Sequence, residues 1–95
     1  MREEELLEHL VDLARRLEFE VRFERGSFRD GSCRLQEKRV IVLNRASPLN
    51  RKITAISSAL KDQPLEGIFL LPAVREAISS VPESESNPEL EKHHG

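Results

Sequence analysis

The feature that most constrains this chain is an aliphatic run, Val40-Ile41-Val42-Leu43, between charged and polar residues. Successive residues of a strand point to opposite faces of a sheet, so a strand built from this run is apolar on both faces. Such a strand is usually central in its sheet or covered on both sides. The rest of the chain must therefore provide neighbouring strands and a cover.

Hydrophobic periodicity predicts those surrounding elements. Residues 3–17 and 72–81 repeat apolar side chains at the helical period, and a further helix begins at Ser47-Pro48, with Ser47 as its cap. Alternating segments at 19–24 and 32–36 predict two more strands. The run Ile68–Leu71 is either a fourth strand or a buried turn. The order α-β-β-β-α-(β)-α predicts an α+β fold: a small, mainly antiparallel sheet of three to four strands with about three helices.

The chain has 95 residues, which is enough for one domain. We expect residues 1–81 to be compact and 82–95, rich in Pro, Ser and Glu, to be a disordered acidic tail. No stretch approaches the ~20 apolar residues of a membrane span. The single cysteine, Cys33, excludes an internal disulfide. These features favour a cytoplasmic protein with no membrane association.

Strand alternation predicts which residues the helices cover. The first two helices are expected to lie over one sheet face, formed by Phe19, Val21, Phe23, Cys33 and Leu35. One apolar pair of the central run then lies among polar neighbours, unless the third helix covers it. We expect Ile41 and Leu43 to be the exposed pair, although a shift of one residue reverses the choice. An apolar spot rimmed by arginine is typical of interface centres.

Charge is distributed unevenly along the chain. Residues 22–52 contain nine basic and three acidic residues, a net charge of +6, within a chain of net charge -2. Arg22 and Arg34 are expected on the outward face of neighbouring strands, with Lys38 and Arg39 beside a turn. Such a patch attracts phosphates. No outward aromatic residue interleaves with it, which predicts at most weak, salt-sensitive binding of nucleic acid.

Catalytic candidates are few. Cys33 is the single thiol, and a nucleophilic cysteine needs a nearby base, for which His9 is the candidate outside the tail. Cys33 alternates with Leu35 on the face predicted to be buried, so we interpret it as a core residue. His93 and His94 lack a scaffold that would fix metal geometry. The sequence therefore predicts no catalytic set, no metal site and no cofactor.

Three segments carry a resemblance to a known family. Gly31–Leu35, Val40–Asn44 and Ser47–Thr54 resemble the core of the ImmA/IrrE-type zinc metallopeptidases, in which a helix with an H-E-x-x-H motif follows the strands. Ser57-Ser58-Ala59-Leu60-Lys61 occupies the place of that motif. Ser57 and Lys61 replace the ligand histidines, and Ser58 replaces the glutamate. A protonated lysine offers no lone pair to zinc, so the resemblance implies a metal-free relative without peptidase chemistry.

Two functional hypotheses follow. The leading one is a small, bacterial-type, non-enzymatic interaction or accessory domain that binds a protein partner or a second copy. Its hypothetical interface consists of Ile41, Leu43, Arg22, Arg34 and Arg39. The alternative is binding of an anionic ligand or nucleic acid through the basic hairpin region, 22–52. An enzyme built on Cys33 and His9 comes third.

Overall fold

The computed structural model describes residues 1–27, 29–35 and 38–81, without the side chains of residues 34 and 35. This part of the chain forms three helices and three strands: α1 (Glu3–Arg16), β1 (Phe19–Glu24), β2 (Gly31–Leu35), β3 (Lys38–Asn44), α2 (Leu49–Lys61) and α3 (Pro72–Ser79). The α+β class and the number of helices are confirmed. None of the described helices has the length and apolar character to cross a membrane. The tail predicted at 82–95 lies outside the described residues.

The sheet has the strand order β1-β3-β2, with β3 in the centre. β3 pairs in parallel with β1 and antiparallel with β2. The sheet is therefore mixed, and the prediction of a mainly antiparallel sheet is only partly right. The reason is topological. After β1, the chain skips the central position of the sheet and forms β2 at the other edge. β3 then lies between the two edge strands, parallel to β1 and antiparallel to β2.

All three helices lie on one side of the sheet. α1 packs on β1, α2 packs on β3 and β2, and α3 packs against α1 and α2. Of the two alternatives for Ile68–Leu71, the fourth strand does not form, and the described chain is irregular there. Ile68, Leu70 and Leu71 pack partly against the core, whereas Phe69 is 79% exposed. The alternative that α3 and this segment cover the opposite sheet face is therefore not realised.

The register of β3 decides which of its apolar pairs is buried. Ile41 pairs with Val21 and Leu43 with Phe23, so these residues share the face that the helices cover. Ile41 and Leu43 are both 0% exposed, and the prediction that they form the exposed pair is wrong. The opposite face carries Val40 and Val42. The predicted and observed registers differ by one residue, and such a shift exchanges the two faces of a strand. Because the run is apolar on both faces, its sequence does not indicate which face the helices cover.

β2 has the opposite phase from the one predicted. Cys33 pairs with Val40, which puts it on the sheet face away from the helices, and it is exposed. The prediction that Cys33 is a core residue is therefore wrong. Its neighbour Ser32 pairs instead with Ile41 on the helix-covered face. β2 is an edge strand, and its pairing with β3 determines its facing more than its own weak alternation does.

The two faces of β3 generate a stability prediction. Ile41→Ala removes a fully buried side chain and should lower the free energy of unfolding by about 2–5 kcal/mol. Val42→Ala, on the same strand but half-buried on the other face, should cost about 1 kcal/mol. Urea unfolding of both variants measures the difference. Equal losses would contradict the register described here.

Candidate functional site

The side chain of Arg39 makes contacts within the molecule that stabilise the fold. Its Nη1 donates a hydrogen bond to Oε1 of Gln63 at 2.6 Å, and its Nη2 donates to the backbone carbonyl of Leu17. The guanidinium carbon lies 4.5 Å from the centre of the Phe19 ring, in a cation–π contact. These contacts join the start of β3 to the ends of α1 and α2. Two of its donors and its planar face are thus used inside the molecule, and a role of Arg39 in an interface stays a prediction.

Arg22 is also paired within the chain. Its Nε lies 2.8 Å from Oε2 of Glu20, and Nζ of Lys38 lies 3.9 Å from the other carboxylate oxygen. The hydrogen bond between Arg22 and Glu20 lowers the pKa of the carboxyl below its usual value and raises the pKa of the guanidinium. Glu20 thus keeps its charge at neutral pH and offsets the positive charge on this face.

Arg22 and Arg34 do not form one patch. Residue 34 pairs in register with Arg39, so its position belongs to the helix-covered face of β2, whereas Arg22 belongs to the opposite face of β1. β3 lies between the two strands, and β1 and β2 do not form a hairpin. The predicted outward face shared by Arg22 and Arg34 on neighbouring strands is therefore wrong.

Asn44 is the centre of a hydrogen-bond network at the carboxyl end of β3. The residue is 5% exposed. Its backbone N–H donates to Oδ1 of Asp30, and its side-chain Nδ2 donates to the carbonyl of Gly26 at 2.8 Å. Its Oδ1 accepts from the N–H of Ala46 at 3.0 Å. One buried side chain therefore ties the loop that follows β1 to the loop that follows β3.

The two loops that Asn44 joins carry exposed arginines. Arg25 and Arg29 belong to the first loop and Arg45 to the second, where the N–H of Arg45 donates to the carbonyl of Glu24 at 2.8 Å. Ion pairs within the described residues involve Arg22 and Lys38 only, so no described carboxylate pairs with these three guanidinium groups. The structure thus places three exposed arginines at one end of the sheet, together with the carboxylates of Glu24 and Asp30.

The beginning of α2 adds to the positive field at this end. The helix starts at Leu49 with Pro48 at the N-cap, no side chain caps it, and its first turn contains no acidic residue. The predicted cap by Ser47 is therefore wrong. The partial positive charge of the helix N-terminus is left without a compensating carboxylate in that turn, and Arg51, two residues after Leu49 in the same turn, is exposed. We call Arg25, Arg29, Arg45 and Arg51 together the basic end.

An acidic turn limits the extent of the basic end. α1 runs back along β1 after a connection of two residues, so the first turn of α1 lies at the same end of the molecule as the end of β1. That turn contains Glu3, Glu4 and Glu5. These carboxylates belong to the helix layer, whereas the arginine loops extend from the sheet layer. An anion therefore meets attraction on the sheet side and repulsion on the α1 side.

The residues of the enzyme hypothesis are not brought together. Cys33 is exposed on the sheet face away from the helices, and His9 is exposed on α1, on the other side of the sheet. In residues 1–27, 29–35 and 38–81, no three His, Cys, Asp or Glu side chains are grouped as metal ligands. Lys61, at the place of a ligand histidine in the peptidase motif, donates from Nζ to the carbonyl of Val81 at 2.5 Å.

No family model, curated protein or solved structure matches this chain. The resemblance to the ImmA/IrrE-type peptidase core therefore stays a prediction from the sequence.

Sequence reasoning missed the role of Asn44. A local signal was available, because an asparagine at the end of a strand often accepts a hydrogen bond from the backbone two residues later, as Asn44 does from Ala46. The bonds to Gly26 and Asp30 have no such signal, since those residues are 18 and 14 positions away.

The Asn44 network predicts a selective loss of order. Asn44→Ala leaves the Gly26 carbonyl and the Ala46 N–H without their partner, and it should lower the free energy of unfolding by about 1–3 kcal/mol. Amide hydrogen exchange should accelerate most in the loops after β1 and β3. Asn50→Ala, the same change at an exposed position of α2, is the control and should have little effect. Unchanged exchange in both loops would show that Asn44 does not hold them.

Ser57 provides a second test, at the place of the other ligand histidine. Its side chain is 0% exposed, and its hydroxyl has no hydrogen-bond partner in the described part of the chain. An unbonded buried hydroxyl is unfavourable, so Ser57→Ala should leave stability unchanged or raise it by up to ~1 kcal/mol. Ser58→Ala, at a half-buried position, is the control. Thermal and urea unfolding measure the effect; a loss larger than that of the control would indicate a partner for the Ser57 hydroxyl.

Proposed function

We propose that this protein is a non-enzymatic binding module that contacts the phosphate groups of nucleic acid through its basic end. The observation that carries the proposal is that Arg25, Arg29 and Arg45 lie in the two loops that Asn44 joins, through its side chain to Gly26 and Ala46 and through its backbone N–H to Asp30. The three arginines come from two loops, all are exposed, and none pairs with a described carboxylate.

Electrostatics favour an anionic partner at this place. Like charges held on neighbouring loops repel one another, and an anion that binds between them relieves the repulsion. The guanidinium group presents a planar set of N–H donors that matches a phosphate with two parallel hydrogen bonds. The N-terminus of α2 adds a field of the same sign.

The same geometry limits specificity and affinity. Contacts to phosphate position a protein on a nucleic acid but do not read its sequence. The described residues around the basic end, 24–27, 29–30 and 45–51, include no aromatic side chain that could stack on bases. The acidic first turn of α1 opposes a long polyanion on that side. The expected binding is therefore weak, independent of sequence and sensitive to salt.

The competing hypothesis of a protein interface on β3 has lost its main support. Ile41 and Leu43 are core residues, so they offer no apolar surface to a partner. On the opposite face Val40 is also fully buried, and Val42 is half-buried beside charged neighbours. This favours the basic end over the strand surface as the binding site.

A matched pair of charge variants tests the proposal. Arg25→Gln, Arg29→Gln and Arg45→Gln together remove three charges from the basic end. Arg15→Gln, Arg16→Gln and Lys38→Gln remove the same number from the opposite end, where α1 stops and β3 starts. Fluorescence anisotropy with a short labelled DNA duplex is measured for the natural protein and both variants.

The salt dependence of DNA binding distinguishes phosphate contacts at the basic end from a general effect of net charge. Each phosphate contact contributes a slope of about -0.9 to log affinity against log salt, so three contacts predict a slope of about -2.7. The basic-end variant should lose most of this slope, and the opposite-end variant should keep it. Equal weakening by both variants would mean that net charge alone causes binding, and this would contradict the proposal.

A further inference from the structure

β1 is an edge strand whose outer side has no partner strand among the described residues. It pairs with β3 in an unbroken register from Phe19 to Glu24, and β2 lies at the other edge of the sheet. The carbonyl of Glu24 accepts a hydrogen bond from the N–H of Arg45, the residue after β3, so the backbone groups of Glu24 point to β3. Because the N–H and C=O groups of successive strand residues alternate in direction, those of Phe19, Val21 and Phe23 point to the open edge.

A groove of about 400 Å³ lies beside this open edge. α1 and β1 alone form its lining, with three apolar and three charged side chains: Leu7, Val11, Phe23, Glu8, Asp12 and Arg15. Since α2 packs against α1 and over β3 and β2, the groove lies on the side of β1 away from β3. Its volume is at the lower end of the range of ligand pockets, about 300–1,000 Å³, and is enough for a few side chains.

We propose that β1 and this groove bind an extended, basic peptide segment of a partner protein, which adds a fourth strand to the sheet. An extended backbone repeats its donors and acceptors every two residues, as the open edge does, so the edge selects the conformation of its ligand. The edge groups span positions 19–23, a length that corresponds to a peptide segment of about five residues. The groove uses none of the residues of the basic end, so this proposal and the proposed function can fail separately.

The chemistry of the groove matches lysine or arginine side chains of the peptide. Their aliphatic stems pack on the apolar lining while their charged ends stay in water. Glu8 and Asp12 are exposed beside that lining, and within the described residues neither of them forms an ion pair. Each carboxylate can therefore pair with one basic side chain of the peptide. Arg15 at the end of the groove opposes further positive charge, so two basic residues fit better than a longer basic run.

A second copy of this chain is a poor ligand for the same edge. Because α1 packs on β1, an antiparallel pairing of β1 with its own copy would bring the two α1 helices together. The gap between them would then contain Glu8 and Asp12 of both copies, opposed only by the two Arg15 side chains. Like charges held close together repel, whereas a basic peptide compensates these carboxylates.

Amide hydrogen exchange of the full chain with an end-blocked peptide of alternating lysine and threonine tests strand addition. The peptide should slow exchange severalfold at Phe19, Val21 and Phe23, and it should have little effect at Glu20 and Arg22, whose N–H groups point to β3. The same peptide with a fully N-methylated backbone keeps its side chains but has no N–H donors, and it should not slow exchange. Uniform slowing along β1, or none at millimolar peptide, would overturn the proposal. Slowing that rises with protein concentration in the absence of peptide would overturn it in favour of a second copy.

Charge reversal in the groove tests the basic character of the ligand. Glu8→Lys together with Asp12→Lys should weaken binding of the lysine–threonine peptide at least about fivefold, because each reversal replaces an attraction with a repulsion. The same variant should bind a glutamate–threonine peptide more tightly than the natural protein does. Glu66→Lys together with Glu76→Lys, the same change in charge at exposed positions outside the groove, is the control and should have less than a twofold effect. Circular dichroism verifies that both variants are folded. Equal weakening by both variants would overturn the assignment of the groove.

Discussion

The register of β3 is the constraint on which the rest of the structure depends. The strand is central, and its pairing with β1 aligns Ile41 with Val21 on the side of the helices. A slip of one residue would turn Ile41 and Leu43 outward and leave the smaller Val40 and Val42 beneath the helices. The aliphatic run alone does not prevent this slip, because both of its faces are apolar.

Polar side chains hold β3 at both ends. Arg39, near the start of the strand, bonds to Leu17 and Gln63 and covers the Phe19 ring. Asn44, at the end of the strand, bonds to both flanking loops. Each of these residues would lose its partners if the strand moved by one position, because alternate positions face opposite sides of the sheet. Hydrogen bonding thus specifies an orientation that hydrophobicity leaves ambiguous.

Much of the fold could be predicted from the sequence, because periodicity is a local property. The three helices, the three strands and the compact α+β arrangement follow from it. The facing of β3 could not be predicted, since a doubly apolar run has no phase. Its parallel pairing with β1 depends on a connection through β2, and the exposed position of Cys33 follows from that pairing rather than from the alternation of β2.

The site shows the same division between local and long-range information. The excess of basic residues in the middle of the chain can be counted, but the count does not distinguish Arg39, whose donors are used internally, from Arg45, which is exposed. Only the contacts made by Asn44 show which arginines converge, and these contacts join residues that are distant in sequence. The hydrogen-bond network of Asn44 therefore stabilises the fold and also supports the proposed binding surface.

An amide NMR titration of the full chain with a short DNA duplex tests this account most directly. Chemical shift changes should be concentrated in the loop after β1, the loop after β3 and the first turn of α2, and they should disappear as salt is raised. Changes concentrated on the sheet face around Val42 or on α3 would contradict it. The absence of any change at millimolar duplex and low salt would do so as well.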